Sequence, residues 1–307
     1  MALELKNLRK SYGDLTVLQD LSLTVRAGEI YGFVGANGAG KTTTMRIALG
    51  VLSRDGGTTT LNGADIDDTV RRTIGYMPEE RGLYPNEKVA DQLHYFAGLH
   101  GLSKQHAAEN VDKLLEMLDL SHRRDDNLNA LSLGNQQRVQ LAASLVHDPA
   151  ALILDEPFSG LDPIAVEVMA TVLRQRAEQG VPVLFSSHQL ELVERLCDRI
   201  GILRDGALIA EGTVAELRSG GNQVIALTVE GASDESSTPA WTANISGITQ
   251  VEADPHNARR YLFTVAADAA PDTDQALLAA ATKAGTVREF APIAVPLTKL
   301  YQEVIHS

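Results

Sequence analysis

Residues 35 to 42 read Gly-Ala-Asn-Gly-Ala-Gly-Lys-Thr. This is the pattern G-x-x-x-x-G-K-[ST], which grips the phosphates of a nucleoside triphosphate. Gly35, Gly38 and Gly40 let backbone N–H groups turn inward around phosphate oxygens, with Asn37 and Ala39 in the same cradle. Lys41 offers a compact positive charge to the β/γ-phosphates, and Thr42 offers a hydroxyl to Mg²⁺. Glu29 to Val34 reads as a short apolar strand, and Thr42, Thr43 and the residues to Leu49 read as a helix. A strand, a glycine turn and a helix N-terminus together make an anion site from free amides and the helix dipole.

A second group of acids follows downstream. Ala151-Leu-Ile-Leu-Asp-Glu-Pro157 places four apolar residues before two carboxylates. This predicts a buried parallel strand that delivers acids to a site at its carboxyl end. Asp155 is placed to hold Mg²⁺, directly or through water, and Glu156 to polarise an attacking water. Leu131-Ser-Leu-Gly-Asn-Gln-Gln-Arg138 precedes a stretch with helical apolar spacing at Val139, Leu141, Ala142, Leu145 and Val146. Ser132 and Gly134 lie at the start of that helix, where an N-cap and a glycine turn belong.

At this point the chain resembles the ABC (ATP-binding cassette) ATPases, whose signature is L-S-G-G-Q. Leu131, Ser132, Gly134, Gln136 and Gln137 match its extended form; Leu133 and Asn135 depart from it. Asp162 in Ser159-Gly-Leu-Asp162 resembles the family's D-loop, and His188 in Phe185-Ser-Ser-His188 its switch histidine. Tyr12 in Lys10-Ser-Tyr-Gly resembles the aromatic residue that stacks on adenine. The resemblance covers roughly residues 1 to 220. It implies ATP and Mg²⁺ as cofactors, with Lys41, Glu156 and His188 catalytic. It also implies that a second ATP-binding subunit, a homodimer or a heterodimer partner, contributes its own signature to each ATP.

One position differs. Where the family has a glutamine after Tyr-x-Pro, this chain has Glu79, in Pro78-Glu-Glu-Arg81. A carboxylate near a triphosphate is repelled unless Mg²⁺ or an arginine offsets it, so Glu79 joins Thr42 and Asp155 as a candidate metal ligand. The same version resembles a subgroup of prokaryotic export cassettes with an added C-terminal domain.

The elements that must position these residues follow. Residues 1 to 25 alternate apolar and polar as antiparallel strands do, and Thr58 to Leu61 suggest another strand. Residues 87 to 147 are dominated by helical spacing, such as Val89, Leu93, Phe96 and Ala97, then Val111, Leu114, Leu115 and Leu118. In the family this insertion is the α-helical subdomain that touches the membrane partner. A strand at 151–155, a helix at 163–179, a strand at 183–187 and a helix at 189–197 restore the alternation of a parallel sheet. The glycine/serine stretch Ser219-Gly-Gly-Asn222 suggests a domain boundary. Beyond it, Val224 to Val229 and Tyr261 to Val265 read as strands, Asp272 to Ala284 as a helix, and Gly231 to Pro239 as a polar loop. The expected class is therefore α/β: a P-loop NTPase ABC cassette over 1–220, with a mixed sheet core, an antiparallel β subdomain and an α-helical subdomain. A small α+β accessory domain is expected over 221–307.

Composition bounds the function. A net charge of −13 argues against nonspecific nucleic-acid binding, which depends on lysine and arginine. The chain has no run of 18 apolar residues and opens with neither a basic leader nor an apolar core, so the expectation is a cytoplasmic chain peripheral to the inner membrane face. The single cysteine, Cys197, reads as a small buried filler, and His94, His100, His106, His122 and His147 as scattered structural or solvated residues. The expected function is the ATP-hydrolysing subunit of a transporter, driving export through a separate membrane subunit. The alternative is a soluble ABC ATPase acting on nucleic acid or ribosomes.

Overall fold

The computed structural model describes residues 2–80, 82–218, 223–231, 239–243, 245–254, 257–266 and 268–293. By its contacts the chain divides into Met1–Val214 and Ala215–Ser307.

In the first unit the elements run β1 (Ala2–Tyr12), β2 (Leu15–Arg26), β3 (Ile30–Gly35), α1 (Lys41–Ala48), β4 (Gly56–Leu61), β5 (Ala64–Asp65) and α2 (Asp68–Arg71). There follow β6 (Ile74–Met77), α3 (Val89–Leu99), α4 (Lys104–Met117), α5 (Leu133–Leu145) and β7 (Ala151–Leu154). Then come α6 (Pro163–Glu178), β8 (Val183–Ser187), α7 (Leu190–Leu196), β9 (Arg199–Arg204) and β10 (Ala207–Thr213), and α8 (Val214–Arg218) starts at the last residue of this unit and runs on into the second.

Two sheets result. The antiparallel one has the order β2-β1-β4-β5, with Leu3 opposite Val25 and Leu5 opposite Leu23. Its alternation sends Leu3, Leu5, Leu21, Leu23 and Val25 into the core. The second has the order β10-β9-β3-β8-β7-β6. β9, β3, β8, β7 and β6 run parallel and β10 runs against β9. Every residue of β3, β7 and β8 is buried, as continuous apolar runs predict for a sheet covered on both faces. The three strands are neighbours, so the segments after Gly35, Leu154 and Ser187 leave the sheet side by side.

Close approaches fix the helices. A Cβ on Gly75 of β6 would lie 2.3 Å from the Ser144 carbonyl oxygen, so α5 rests on that strand. A Cβ on Gly32 of β3 would lie 2.5 Å from Val193 and 2.6 Å from the Cys197 sulfur, so α7 sits in the space of a missing side chain. Cys197 is the small buried residue the sequence suggests, placed at the end of α7.

The second unit continues with β11 (Gln223–Glu230), β12 (Ile248–Asp254), β13 (Asn257–Val265), α9 (Thr273–Ala284) and β14 (Thr286–Ile293). Its sheet is antiparallel with the order β12-β13-β11-β14. Ile225, Leu227, Val229, Tyr261, Phe263 and Val265 alternate onto one face and pack with Leu277 and Ala281 of α9. The stretch 219–222 and the polar segment 232–238 lie outside the described residues.

His100 and His147, far apart in the sequence, meet in the fold: their rings stack at 3.6 Å with 9° between planes. They join a cavity of about 330 Å³ lined also by Leu49, Tyr76, Phe96 and Gln140. Burial, then the neighbouring His100, holds the His147 imidazole down to about 4 from its ordinary 6.5. Between those two values the unfolded chain binds a proton that the folded chain does not, so stability rises with pH through that window. Acidification from pH 7.5 to pH 5 should cost about 2 kcal/mol through this group. Urea unfolding at both pH values should show this loss, and His147→Gln should shrink it. An undiminished loss would place the acid sensitivity elsewhere.

Candidate nucleotide site

The loop between β3 and α1 is built by its glycines. Gly38 and Gly40 have φ of +83° and +108°, in the left-handed region that side chains avoid. Gly40 is the N-cap of α1, where no side chain accepts from the first amides. Those N–H groups are left to bind something else. The Thr44 hydroxyl donates to the Gly40 carbonyl at 2.8 Å and closes the first turn. Ala39 is buried, with its carbonyl accepting from the Gly206 N–H at 3.1 Å. Lys41 is only 6% exposed. Its ammonium donates to the Gly35 carbonyl at 2.7 Å and the Ala36 carbonyl at 3.3 Å, and lies 3.9 Å from Glu156 Oε1.

The acids arrive from the adjacent strands. Asp155 is 1% exposed, and its N–H donates to the Met77 carbonyl of β6 at 2.8 Å. Ser186 of β8 joins the two carboxylate residues. Its hydroxyl donates to Asp155 Oδ1 at 2.6 Å and accepts from the Glu156 N–H at 2.8 Å. Glu156 has φ of +49°, a conformation that costs a non-glycine residue about 1–3 kcal/mol. Its side chain is buried, with Oε2 2.9 Å from His188 Nδ1. The other oxygen, Oε1, faces Lys41. Asp155 Oδ2 is buried and finds no hydrogen-bond partner among the described residues. A buried carboxylate oxygen left this way costs a few kcal/mol unless a cation or donor meets it. Thr42, Glu79 and Asp155 supply the hard oxygen donors that suit Mg²⁺.

Asn37, Gly38, Gly40, Lys41, Thr42, Thr43, Glu79, Asp155 and Glu156 line one cavity of about 240 Å³. The remaining candidates lie around it or apart from it. Gly35 ends β3 and accepts from Lys41. His188 reaches the site through Glu156. Asp162 caps α6, its carboxylate accepting from the Ala165 N–H at 2.8 Å. Ser132 caps α5, accepting from the Asn135 N–H at 3.4 Å. The Gln136 amide donates to the Leu128 and Leu131 carbonyls at 3.1 and 3.0 Å. Tyr12 ends β1 and is 51% exposed. Gly134 lies against Leu161 and Ala165 near the start of α6, each 3.7 Å from where its Cβ would be. Tyr12, Ser132, Gly134, Gln136 and Asp162 do not line the cavity.

Ser186 and Gln140 shape the site without standing out in the sequence, and Gln137, which matches the signature, makes a contact that the sequence does not announce. Ser186 lies in the histidine segment, and its signal in the sequence is a polar residue interrupting an apolar strand. Gln137 donates to the Pro157 carbonyl at 3.0 Å, and Gln140 to the Pro78 carbonyl at 2.7 Å. Thus α5 braces both the segment after Glu156 and the segment holding Glu79.

Comparison with known proteins agrees with this geometry. Residues 18–159 match the family profile described as ABC transporter. An uncharacterised ABC transporter ATP-binding protein of Methanocaldococcus jannaschii is 42% identical over 215 residues, covering 70% of this chain and 79% of that protein. Nod factor export ATP-binding protein I of Burkholderia lata is 40% identical over 213 residues, covering 68% and 70%. A solved structure of the ATP-binding subunit of an ABC transporter aligns with a TM-score of 0.67 at 32% identity, over 72% of this chain and 93% of that one.

Removing the serine bridge leaves two buried groups short of a partner. Ser186→Ala should cost about 1–3 kcal/mol in stability, the penalty for orphaning buried polar groups. It should also lower ATP turnover, because Asp155 and Glu156 lose their common reference. Denaturant unfolding and steady-state phosphate release test this. Wild-type values in both would mean that the bridge is dispensable.

Proposed function

The chain belongs to the ABC transporter family of ATP-hydrolysing ATP-binding proteins, and on that premise we propose that it powers export through a separate membrane-spanning subunit. The observation that carries the site assignment is the convergence of Lys41, Asp155 and Glu156 on the one cavity formed by the glycine loop.

In this proposal the amides of the loop from Gly35 to Thr43 hold the phosphate oxygens of ATP, and Lys41 shifts its ammonium from the loop carbonyls to the β/γ-phosphates. Thr42, Asp155 and Glu79 hold Mg²⁺, which when bound would neutralise charge on the transferring phosphoryl group. His188 fixes Glu156 by Oε2, which leaves Oε1 to accept a proton from water. The water oxygen bonds to the γ-phosphorus while the bond to the ADP oxygen breaks, and the proton passes to Glu156. Tyr12 stacks on the base.

Ser132, Gly134, Gln136 and Asp162 serve the ATP of a second ATP-binding subunit. Their absence from the lining of this chain's own cavity supports that reading. So does the exposure of Leu133 and Ile164, 58% and 78%, beside Gly134 and Asp162. Export is supported by the likeness to the Nod factor export protein and by the Pro78-Glu79-Glu80-Arg81 variant. A peripheral place on the inner membrane face accords with the described residues, which contain no helix long and apolar enough to cross a bilayer. Residues 221–307 are the accessory domain, and nucleic acid is not among the partners.

Two experiments test the scheme. Glu156→Gln should keep ATP binding and lose turnover by about 10²–10⁴-fold, the usual range for a general base. Near-normal hydrolysis would reject the assignment. For the shared site, Lys41→Ala and Gly134→Asp chains should each be inactive alone. Mixed, they form dimers with one intact composite site, and phosphate release should partly return. A Gly134→Asp chain that hydrolyses ATP normally would defeat the arrangement.

A further inference from the structure

Tyr12 closes β1 at the tip of the β1–β2 hairpin with half of its side chain in solvent. A ring so placed receives a base well only if its orientation is set beforehand, because each free rotor frozen on binding weakens it. We propose that Asp55, acting through Lys10, is the positioning residue that orients Tyr12 for the nucleotide base. This rests on the reading of Tyr12 as the base platform and names what holds the platform.

Asp55 stands just before β4, and its own N–H donates to the Arg9 carbonyl of β1 at 2.9 Å. Its carboxylate then takes β1 at two more points. Oδ2 accepts from the Ser11 N–H at 2.7 Å and Oδ1 from the Lys10 ammonium at 3.0 Å. The backbone just before Tyr12 is therefore held at Arg9 and Ser11, and the Lys10 side chain between them is tied to the same carboxylate. The Ser11 N–H first, then Lys10, keep the Asp55 carboxyl below the usual range, so both contacts are to a carboxylate at neutral pH.

Lys10 passes the constraint to the ring. Residues two apart on a strand share a face, and the Lys10 ammonium sits over the Tyr12 ring, 5.2 Å from its centroid. Lys10 is only 7% exposed. A nearly buried ammonium has few places to go, and Asp55 is its only ion-pair partner among the described residues. The ammonium covers one face of the ring, and the exposed remainder of Tyr12 is the part open to a base. The exposed Arg9–Asp20 pair on the same hairpin, at 3.0 Å, makes no such contact with an aromatic ring among the described residues.

The test separates the base from the phosphates. Binding of ATP and of inorganic tripolyphosphate to the full chain is measured by titration calorimetry for wild type, Asp55→Asn, Lys10→Met, Tyr12→Ala and the Asp55→Asn/Tyr12→Ala double variant. A cation–π contact at an exposed site corresponds to about two- to fivefold in affinity. Asp55→Asn and Lys10→Met should each weaken ATP by about that factor and leave tripolyphosphate unchanged. In ATPase assays the loss should appear in KM more than in kcat. In the Tyr12→Ala background Asp55→Asn should add nothing. Equal losses for ATP and tripolyphosphate, full additivity with Tyr12→Ala, or wild-type ATP affinity in either single variant would each overturn the proposal. If Tyr12→Ala weakens ATP but Asp55→Asn does not, only the positioning role falls. If Tyr12→Ala leaves ATP affinity intact, the platform reading falls and takes this inference with it. Melting temperatures of the variants identify any loss that is merely misfolding, and Lys10→Met, which spares the Ser11 contact, is the less disruptive check.

Discussion

Two carboxyl side chains, 1% and 8% exposed, sit at the end of a buried parallel strand. Burying such polar groups is costly unless partners meet them, and the surrounding structure supplies those partners. Ser186 gives Asp155 a donor and takes the Glu156 N–H in return. Lys41 brings a positive charge within 3.9 Å of Glu156, and His188 adds a nitrogen at 2.9 Å. These groups come from the ends of β3, β7 and β8, which are adjacent only because β8 lies between the other two. Glu156 makes these contacts from a left-handed backbone conformation, with φ of +49°.

The same site depends on a helix that contributes no acid to it. α5 starts at the Ser132 cap, and its glutamines reach Pro157 and Pro78. It also lies on β6 through the bare backbone of Gly75. One rigid element thus connects the Ser132–Gln136 segment to the flanks of both Glu156 and Glu79. Displacing the helix would displace both flanks.

Much of this was legible in the sequence where chemistry restricts residue choice. A phosphate cradle needs glycine at Gly38 and Gly40 and lysine at Lys41, so the loop declares itself. An apolar run ending in two acids declared β7 in the same way. The αβ alternation from 151 to 197 was legible too, as strands and helices in turn. What escaped was long-range pairing. Ser186 is an ordinary serine until β8 is placed beside β7, Gln140 looks like a surface residue of a helix, and the reach of the signature's Gln137 to Pro157 is not visible from its motif. The His100–His147 stack joins residues that periodicity treats separately. In the second unit β12 and β14 were missed because most of their residues are only half-buried or exposed, which leaves a weak alternation. β11 and β13, with Leu227 and Phe263 fully buried, were the readable pair.

Gly32 and Cys197 carry a consequence for inheritance. The sulfur of one occupies the space that a β-carbon on the other would need, with Val193 pressing from the same helix. Neither position can drift freely while its neighbour stays as it is. A larger residue at 32 becomes tolerable only after α7 has shrunk at 193 and 197, so the order in which these sites change is constrained. The segment at stake leads directly from His188 into α7. Lineages that alter the packing of this helix against β3 should therefore do so by paired, ordered replacements, each step keeping the histidine within reach of its glutamate.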